Sequence, residues 1–205
     1  LTLAQQLAVE ITATQTKYQF ACGAVKLNLT FTSPLIASNL DLMSRPVSYV
    51  DFEIKSTDGK THETEITFGL AADIARNEST QVLEINAGSK GSLKYLKTGV
   101  KDQTILGRKG DDVRIDWGYG YLASTNTEHA LGVKSLTDLI NLSEGNSNEK
   151  SASDPELFLT SQWKAKAGPI VKKSMLMLAY DDLYSIQYFT KNLKAWWIKK
   201  HQNIE

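Results

Sequence analysis

The chain has 205 residues, enough for one domain with a sizeable hydrophobic core or, at most, for two small domains. Lysine and arginine together number 23, as do aspartate and glutamate, so the formal net charge is zero. This balance argues against nucleic acid or an anionic membrane as the partner, because both select basic surfaces. No apolar run approaches the ~20 residues that a bilayer-spanning helix needs, so we expect no membrane insertion.

The single cysteine excludes an internal disulfide, so oxidising and reducing compartments are both compatible with the chain. The N-terminus has no initiator methionine and no basic segment leading into an apolar one. We therefore expect the chain to be a fragment of a longer protein.

Alternation of apolar and polar residues predicts a chain made mostly of β-strands, of which the first three form a meander. Strands are predicted at residues 9–13, 18–22, 27–31, 47–56, 61–70, 81–87, 93–97, 113–121, 157–163 and 171–180. Between the fourth and fifth strands, Asp58-Gly59 predicts a tight β-hairpin, because both residues of such a turn must accept positive φ.

We expect the sheet to be organised around the predicted strand at 113–121. Its aromatic face is expected to enter the core and consists of Val113, Ile115, Trp117, Tyr119 and Tyr121. The opposite face carries a row of charged residues, Asp112, Arg114 and Asp116, about 7 Å apart along the strand.

This predicted ion-pair row has two interpretations. It is either an acidic pair bridged by a guanidinium that binds a sugar, an amide or a metal, or a structural row that closes the end of a sheet or a domain interface. We favour the structural interpretation, because no nucleophile or histidine stands beside the row.

A change in composition marks an insertion between strands. Residues 141–154 are dominated by Asn, Ser, Glu and Gly and are expected to form an exposed loop. A short helix at 136–142, with Ser135 as its N-cap, is predicted just before this loop.

The hydrophobic period changes from two to about 3.6 at Asp181 and Asp182, which predicts a C-terminal helix at 181–205. The aspartates lie at its start and basic residues at its end, as the helix dipole prefers. The aspartates could also be catalytic, although N-capping explains them. Trp196 and Trp197 place apolar surface on more than one side of this helix, so it either docks on another domain or packs fully on the sheets.

A search for catalytic constellations finds none. His62, His129 and His201 lie outside metal-ligand spacing of one another, which argues against zinc. Gly107 and Gly110 lead into a predicted strand rather than a helix, which argues against a phosphate-binding loop, and no Gly-x-Ser-x-Gly elbow is present. We therefore expect no catalytic residue, no cofactor and no metal ligand in this chain.

Four long strings of residues stand out: 29–35 (LTFTSPL), 40–50 (LDLMSRPVSYV), 106–121 (LGRKGDDVRIDWGYGY) and 178–189 (LAYDDLYSIQYF). In this order they resemble the N-terminal domain of the glutaminase A-type family, and the resemblance covers nearly the whole chain. It implies a β-sandwich that precedes a larger helical domain in secreted, multi-domain enzymes, with an architecture related to six-hairpin glycosidases. It also implies hydrolysis of L-glutamine to glutamate and ammonia, and a secreted or periplasmic location, but it assigns no catalytic residue to this chain.

We predict an all-β fold, an antiparallel β-sandwich over residues 1–180 with a short inserted helix, followed by the C-terminal helix at 181–205 as a link to an absent helical domain. We expect an accessory domain that docks on this helical domain of the same polypeptide, with the ion-pair row or a loop completing one wall of the active-site cleft. A small-molecule substrate is then expected only in the full-length protein. The alternative is a carbohydrate-binding or glycosidase-associated module that stacks sugars on aromatic rings, and burial of Trp117 and Tyr119 would argue against it.

Overall fold

The computed structural model describes residues 3–107, 115–141, 157–200 and 204. Among these residues the strands are β1 (Gln5–Ile11), β2 (Gln15–Cys22), β3 (Val25–Thr32), β4 (Val47–Ser56), β5 (His62–Ala71), β6 (Leu83–Lys90), β7 (Leu93–Val100), β8 (Tyr119–Ser124), β9 (His129–Ser135), β10 (Leu157–Ala167), β11 (Lys172–Asp181), β12 (Ile186–Tyr188) and β13 (Lys191–Leu193). The helices are α1 (Leu40–Met43) and α2 (Leu136–Asn141), with 3-10 helices at Ala72–Ala75 and Trp196–Lys199.

Two antiparallel sheets make up the sandwich. The large sheet has eight strands in the order β1-β2-β3-β4-β11-β8-β7-β6, and the small sheet has three in the order β5-β10-β9. A separate two-stranded hairpin consists of β12 and β13. The predicted all-β fold is therefore confirmed, and so is the meander of β1, β2 and β3.

The hydrophobic core lies where β4, β8 and β11 of the large sheet face β10 of the small sheet. Side chains alternate along each strand, so that Val50, Phe52 and Leu176 point inwards and are at most 3% exposed. From β10, Leu159 and Trp163 enter the same core, and the Trp163 ring centroid lies 6.4 Å from that of Phe52. Because aromatic side chains bury roughly 150–250 Å² each, this contact is a main link between the two sheets.

The predicted hairpin at Asp58-Gly59 is wrong, although a turn is present there. Gly59 has a φ of 77°, and Asp58 Oδ1 accepts a hydrogen bond from the Lys60 N–H at 2.9 Å. However, β4 pairs with β3 and β11, whereas β5 pairs with β10, so the turn carries the chain from one sheet to the other. Both edges of β4 are occupied by other strands, and β5 has to pair elsewhere.

The predicted short helix is confirmed as α2, with Ser135 as its cap. The Asp138 N–H donates to Ser135 Oγ at 3.1 Å, and the Ser135 N–H donates back to Asp138 Oδ2 at 3.4 Å, which satisfies two backbone donors. From residue 142 onwards, the predicted loop at 141–154 lies outside the described residues. Neither α2 nor any other helix in the described ranges is long and apolar enough to cross a membrane.

The predicted C-terminal helix is wrong. Strand β11 ends at Asp181, the β12–β13 hairpin follows, and only the 3-10 helix at Trp196–Lys199 is helical in the described part of this region. Leu183 has a φ of 57°, which is incompatible with the first turn of a right-handed helix. Ile186 and Tyr188 lie on one face of β12, because residues two apart on a strand point the same way. The apolar pattern that suggested a helical period therefore also fits a period of two.

A polar network is buried between the sheets. His129 is 3% exposed, its Nδ1 lies 2.7 Å from Ser161 Oγ, and its Nε2 lies 2.5 Å from Ser174 Oγ. Its ring stacks on that of Trp163, with 6.0 Å between the centroids. Burial lowers the pKa of His129, and the negative charge of Glu128 opposes this shift more weakly. Burial in the folded protein therefore favours the neutral form of this imidazole.

We expect the free energy of unfolding to fall as the pH drops below about 6.5, the pKa of histidine in an unfolded chain. There the unfolded state binds a proton that the folded state does not, so the contribution of His129 is fully present above the unfolded pKa and is lost as the pH falls through the lowered folded pKa. The loss is about 1.4 kcal/mol for each unit by which the two pKa values differ. Urea denaturation at several pH values will measure it, and His129→Gln should remove this part of the pH dependence. Equal slopes for the variant and the parent would contradict the assignment to His129.

Candidate functional site

The predicted aspartates that the structure describes, Asp116, Asp181 and Asp182, come together at one end of the sandwich. Strand β8 begins at Tyr119, which pairs with Asp181 at the end of β11. Residues 115–118, which precede β8, and residues 182–185, which follow β11, are therefore side by side. We call these two segments, with Tyr180 and Asp181, the β8–β11 end.

The strand predicted at 113–121 begins later than expected, as β8. Asp116 precedes it in an irregular segment, because Gly118 has a φ of 87° and interrupts the extended backbone. Asp112 and Arg114 lie outside the described residues. The prediction that Asp116 lies on a strand is therefore wrong, and the row that it was predicted to form with Asp112 and Arg114 lies largely outside the described residues.

The predicted orientation of this strand is also wrong, although Tyr121 is buried, at 5% exposure. Leu122 is fully buried in the core between the sheets, and Gly120 shares its face. Tyr119 and Tyr121 therefore point to the outer face of the large sheet. The inner face at this position has no room for a large side chain, because a Cβ at Gly120 would already lie 3.0 Å from Ile74 Cγ2 in the 3-10 helix that covers this face.

Asp116 is fully buried and holds a neighbouring loop. Its Oδ2 accepts a hydrogen bond from Gln81 Nε2 at 2.9 Å. Gln81 Oε1 in turn accepts the backbone N–H groups of Asn77 and Glu78, each at 2.9 Å. The carboxylate therefore has a structural role, since it joins residues 77–81 to the β8–β11 end through one amide side chain.

Hydrogen bonds to three other segments fix the turn at Gly118. Gln103 Oε1 accepts the Gly118 N–H at 2.6 Å. The Tyr180 hydroxyl donates to the Trp117 carbonyl at 2.9 Å, and the Trp117 indole N–H donates to the Tyr184 carbonyl at 3.2 Å. The chain that enters β8 is thus tied to the end of β11 and to the segment that follows it.

The negative charges of three carboxylates act on the phenol of Tyr180. Burial, followed by the negative charges of Asp182, Asp116 and Asp181, raises the pKa of Tyr180 to about 12, so the hydroxyl stays protonated and remains a donor. Burial also raises the pKa of Asp181, and the hydrogen bond that its Oδ1 accepts from the Leu183 N–H at 3.0 Å opposes this shift. Asp181 therefore retains its proton to a higher pH than an ordinary aspartate, a property useful for proton exchange.

The structure thus brings together Asp116, Asp181 and Asp182, which lie in two distant stretches of the sequence. Tyr180, whose pKa all three raise, is not among the predicted site residues, and its one signal in the sequence is its position directly before the two aspartates. Within the ranges that the structure describes, no three side chains of histidine, cysteine, aspartate or glutamate are arranged to hold a metal ion. The cluster offers hydrogen bonding and proton exchange at Asp181.

The two predicted tryptophans have different surroundings. Trp197 is 4% exposed, whereas Trp196 is 47% exposed and its indole N–H donates to Asp41 Oδ1 in α1 at 3.2 Å. Hydrogen bonds from Lys200 and Trp196 lower the pKa of Asp41. The Lys199 ammonium lies 3.3 Å from the centroid of the Trp196 ring. Trp196 is therefore held against α1 by polar and cation–π contacts.

The β12–β13 hairpin follows directly after the carboxylate cluster and is exposed along its length. Every residue from 185 to 194 is exposed, including Ile186 at 55%, Tyr188 at 59%, Phe189 at 81% and Leu193 at 43%. Ile186 pairs with Leu193, so these two side chains and Tyr188 share one face of the hairpin. Contiguous apolar surface of this kind usually marks an interaction site.

The aromatic rings that a sugar-binding platform would need are partly covered. Trp117 and Tyr119 are both half-buried. The Lys97 ammonium lies 3.8 Å from the centroid of the Tyr119 ring, and the Trp117 indole N–H is engaged by the Tyr184 carbonyl. These two rings do not form the open platform that the carbohydrate-binding alternative requires.

A cleft of about 540 Å³ opens between β3 and β5 at the other end of the sandwich. Its floor includes Val25 and Ile54, and its rim includes His62 and Glu65. Ile54 pairs with the first residue of β11, at the opposite end of that strand from Asp181. The predicted site residues are therefore not part of this cleft.

Comparison with known proteins gives two matches. A family model described as a domain of unknown function (DUF5127) matches residues 14–205. The chain is also similar to Glutaminase A of Aspergillus oryzae (strain ATCC 42149 / RIB 40), with 24% identity over 136 residues, which are 65% of this chain and 19% of that protein. The match thus spans about a fifth of the length of the relative, and it supports a distant relationship to a glutaminase A.

Proposed function

The chain belongs to the DUF5127 family, a domain of unknown function, and we propose that it is an accessory β-sandwich domain of a secreted or periplasmic glutaminase-like protein. The similarity to Glutaminase A of Aspergillus oryzae supports this proposal, because the matched segment is only 19% of that protein. We place the catalytic machinery for hydrolysis of L-glutamine to glutamate and ammonia in the rest of the polypeptide.

The observation that carries the proposal is the exposed apolar face of the β12–β13 hairpin beside the carboxylate cluster. An isolated domain would leave Ile186, Tyr188 and Phe189 in water, which is costly for contiguous apolar surface. The β8–β11 end therefore docks on the catalytic part of the same polypeptide. In the docked state Tyr180 and Asp181 border the active-site cleft.

Ammonia release from L-glutamine, measured for this chain and for the longer polypeptide in parallel, tests the proposal. We expect turnover only by the longer polypeptide, because this domain is proposed to be accessory. Turnover by the chain alone would contradict that role. If neither protein releases ammonia, glutamine is not the substrate, and hydrolysis of a glycan panel by the longer polypeptide is the measurement that follows.

A further inference from the structure

The β12–β13 hairpin closes with an unfavourable turn. Tyr188 pairs with Lys191, which leaves Phe189 and Thr190 as a two-residue loop with φ angles of 42° and 65°. Positive φ at both loop positions is the requirement of a type I′ turn, which Asn-Gly meets at least cost. Bulky and β-branched residues are strained in this conformation. Other residues at positions 189 and 190, such as Asn-Gly, would therefore make the hairpin more stable than Phe189 and Thr190 do.

The strained turn presents an aromatic pair to the solvent. The ring of Phe189 meets the ring of Tyr188 edge to face, with 4.5 Å between the centroids, so the two rings form one protrusion. Backbone strain is concentrated at functional sites, where it holds a side chain in the orientation that a partner needs. The turn thus has the properties of an anchor rather than of a simple connection.

In the described part of the chain, the hairpin is exposed along both strands. Among these residues β12 and β13 form a sheet of their own, and a two-stranded hairpin is marginally stable in water. Ile186 and Leu193 extend the apolar surface from the tip towards the sandwich, with 55% and 43% exposure. A partner that covers this face would stabilise the hairpin and bury the aromatic tip.

The charge around the hairpin indicates the chemistry of the partner. From Ile186 to Lys194 the sequence has lysines at 191 and 194 and no aspartate or glutamate, whereas Lys199 and Lys200 contact Trp196 and Asp41. Lys191 pairs with Tyr188 and therefore lies on the apolar face itself, and Lys194 is exposed directly after Leu193. A complementary surface is therefore an apolar pocket with carboxylates at its rim, because like charges across an interface are costly.

We infer that Phe189 is an anchor that inserts into an apolar pocket with an acidic rim on the part of the same polypeptide outside this domain. The inference rests on the proposed function in one respect, the existence of that further part, which the 19% coverage of the relative supports. A second copy would offer the cleft between β3 and β5, which Glu63 and Glu65 border. That pairing would join the hairpin end of one copy to the cleft end of the next. Such a head-to-tail contact produces an open-ended chain of copies unless it closes into a ring.

Photochemical cross-linking of the longer polypeptide tests the inference directly. Phe189 is replaced by p-benzoylphenylalanine, which keeps an aromatic ring at the tip, and Ile170 is replaced in a matched control. Ile170 is 83% exposed in the turn between β10 and β11, at the other end of the sandwich. We expect the benzophenone at position 189 to cross-link, within one molecule, to an Asp- or Glu-rich segment outside this domain. We expect the benzophenone at position 170 not to form this product. Products within this domain, covalent multimers, or equal yields at both positions would overturn the inference.

A pair of variants separates the anchor from the turn. Phe189→Asn with Thr190→Gly keeps the turn type and removes the ring, whereas Thr190→Gly alone relieves strain and keeps the ring. In the present chain we expect the double variant to raise the melting temperature by about 2–4 °C. In the longer polypeptide we expect it to lower the melting temperature of this domain, because docking no longer stabilises the folded state. A rise in both proteins would contradict an anchoring role.

The two proposals fail separately. An intramolecular cross-link in a polypeptide that does not release ammonia from glutamine supports the anchor and contradicts the glutaminase-like activity. Ammonia release without a cross-link from position 189 supports the activity and contradicts the anchor.

Discussion

Replacement of Gly118 by alanine is expected to lower the free energy of unfolding by about 3 kcal/mol or more. Gly118 has a φ of 87°, a conformation that strains any residue with a Cβ. An added Cβ would also lie 2.2 Å from the Asp181 carbonyl oxygen and 2.8 Å from the Asp182 Cα. Both are backbone atoms, so no side-chain rotation relieves the contact. The alanine must push apart the two segments of the β8–β11 end.

The variant Gly91→Ala separates backbone strain from this steric contact. Gly91 has a positive φ of 60°, but nothing lies within 4 Å of a Cβ placed there. We expect Gly91→Ala to cost about 1 kcal/mol, from the strained backbone alone. Urea denaturation of both variants provides the comparison. Equal losses would show that Gly118 is not in tight contact with the end of β11.

Gly118→Ala should also change the carboxylate cluster. The Tyr180 hydroxyl donates to the carbonyl of Trp117, the residue directly before Gly118. Displacement of this segment exposes the phenol, so the pKa of Tyr180 should fall from about 12 towards its usual value. Absorbance titration of tyrosine would detect this change. A lowered pKa of Tyr180 in Gly118→Ala would show that the backbone at Gly118 controls the electrostatics of the site.

The strands were predictable because their signal is local. The alternation from Val47 to Ser56 predicts β4 with its bounds as observed. Sheet membership is not local, and the turn at Asp58-Gly59 therefore suggested a hairpin between two strands that belong to different sheets. Strand β9 was missed because its sequence, with Gly132 at the centre, has only weak strand propensity.

The candidate site was less predictable, because two distant stretches form it. Asp116 and Asp181 become neighbours through the pairing of Tyr119 with Asp181, which no local pattern encodes. The positive φ of Gly118 likewise depends on the packing of its turn against β11. The apolar spacing from Leu183 onwards fits a helix and a hairpin equally well. The positive φ of Leu183, 57°, is incompatible with the start of a helix, and a hairpin follows.

Replacement of Trp163 by alanine is expected to cost about 3–5 kcal/mol, the usual range for removal of a buried aromatic side chain. Trp163 is 1% exposed, contacts the rings of Phe52 and His129, and donates its indole N–H to Glu128 Oε2 at 2.9 Å. Alanine leaves a cavity between the sheets and removes this hydrogen bond. Trp163→Phe keeps most of the apolar contact, so we expect a smaller loss of about 1–2 kcal/mol. Trp196→Ala, at a site that is 47% exposed, is the control, and an equal loss there would contradict the role of Trp163 as the link between the sheets.

The same variants separate the stability of the sandwich from the geometry of the β8–β11 end. Trp163 lies beside Lys172, the first residue of β11, with 5.8 Å between the ammonium and the ring centroid. Asp181 is the last residue of that strand, about 30 Å away at the rise of a β-strand. Below its melting temperature, Trp163→Ala should therefore leave cross-linking from position 189 unchanged, whereas Gly118→Ala should reduce it. If folded Trp163→Ala also loses the cross-link, presentation of Phe189 depends on the whole sandwich rather than on the β8–β11 end.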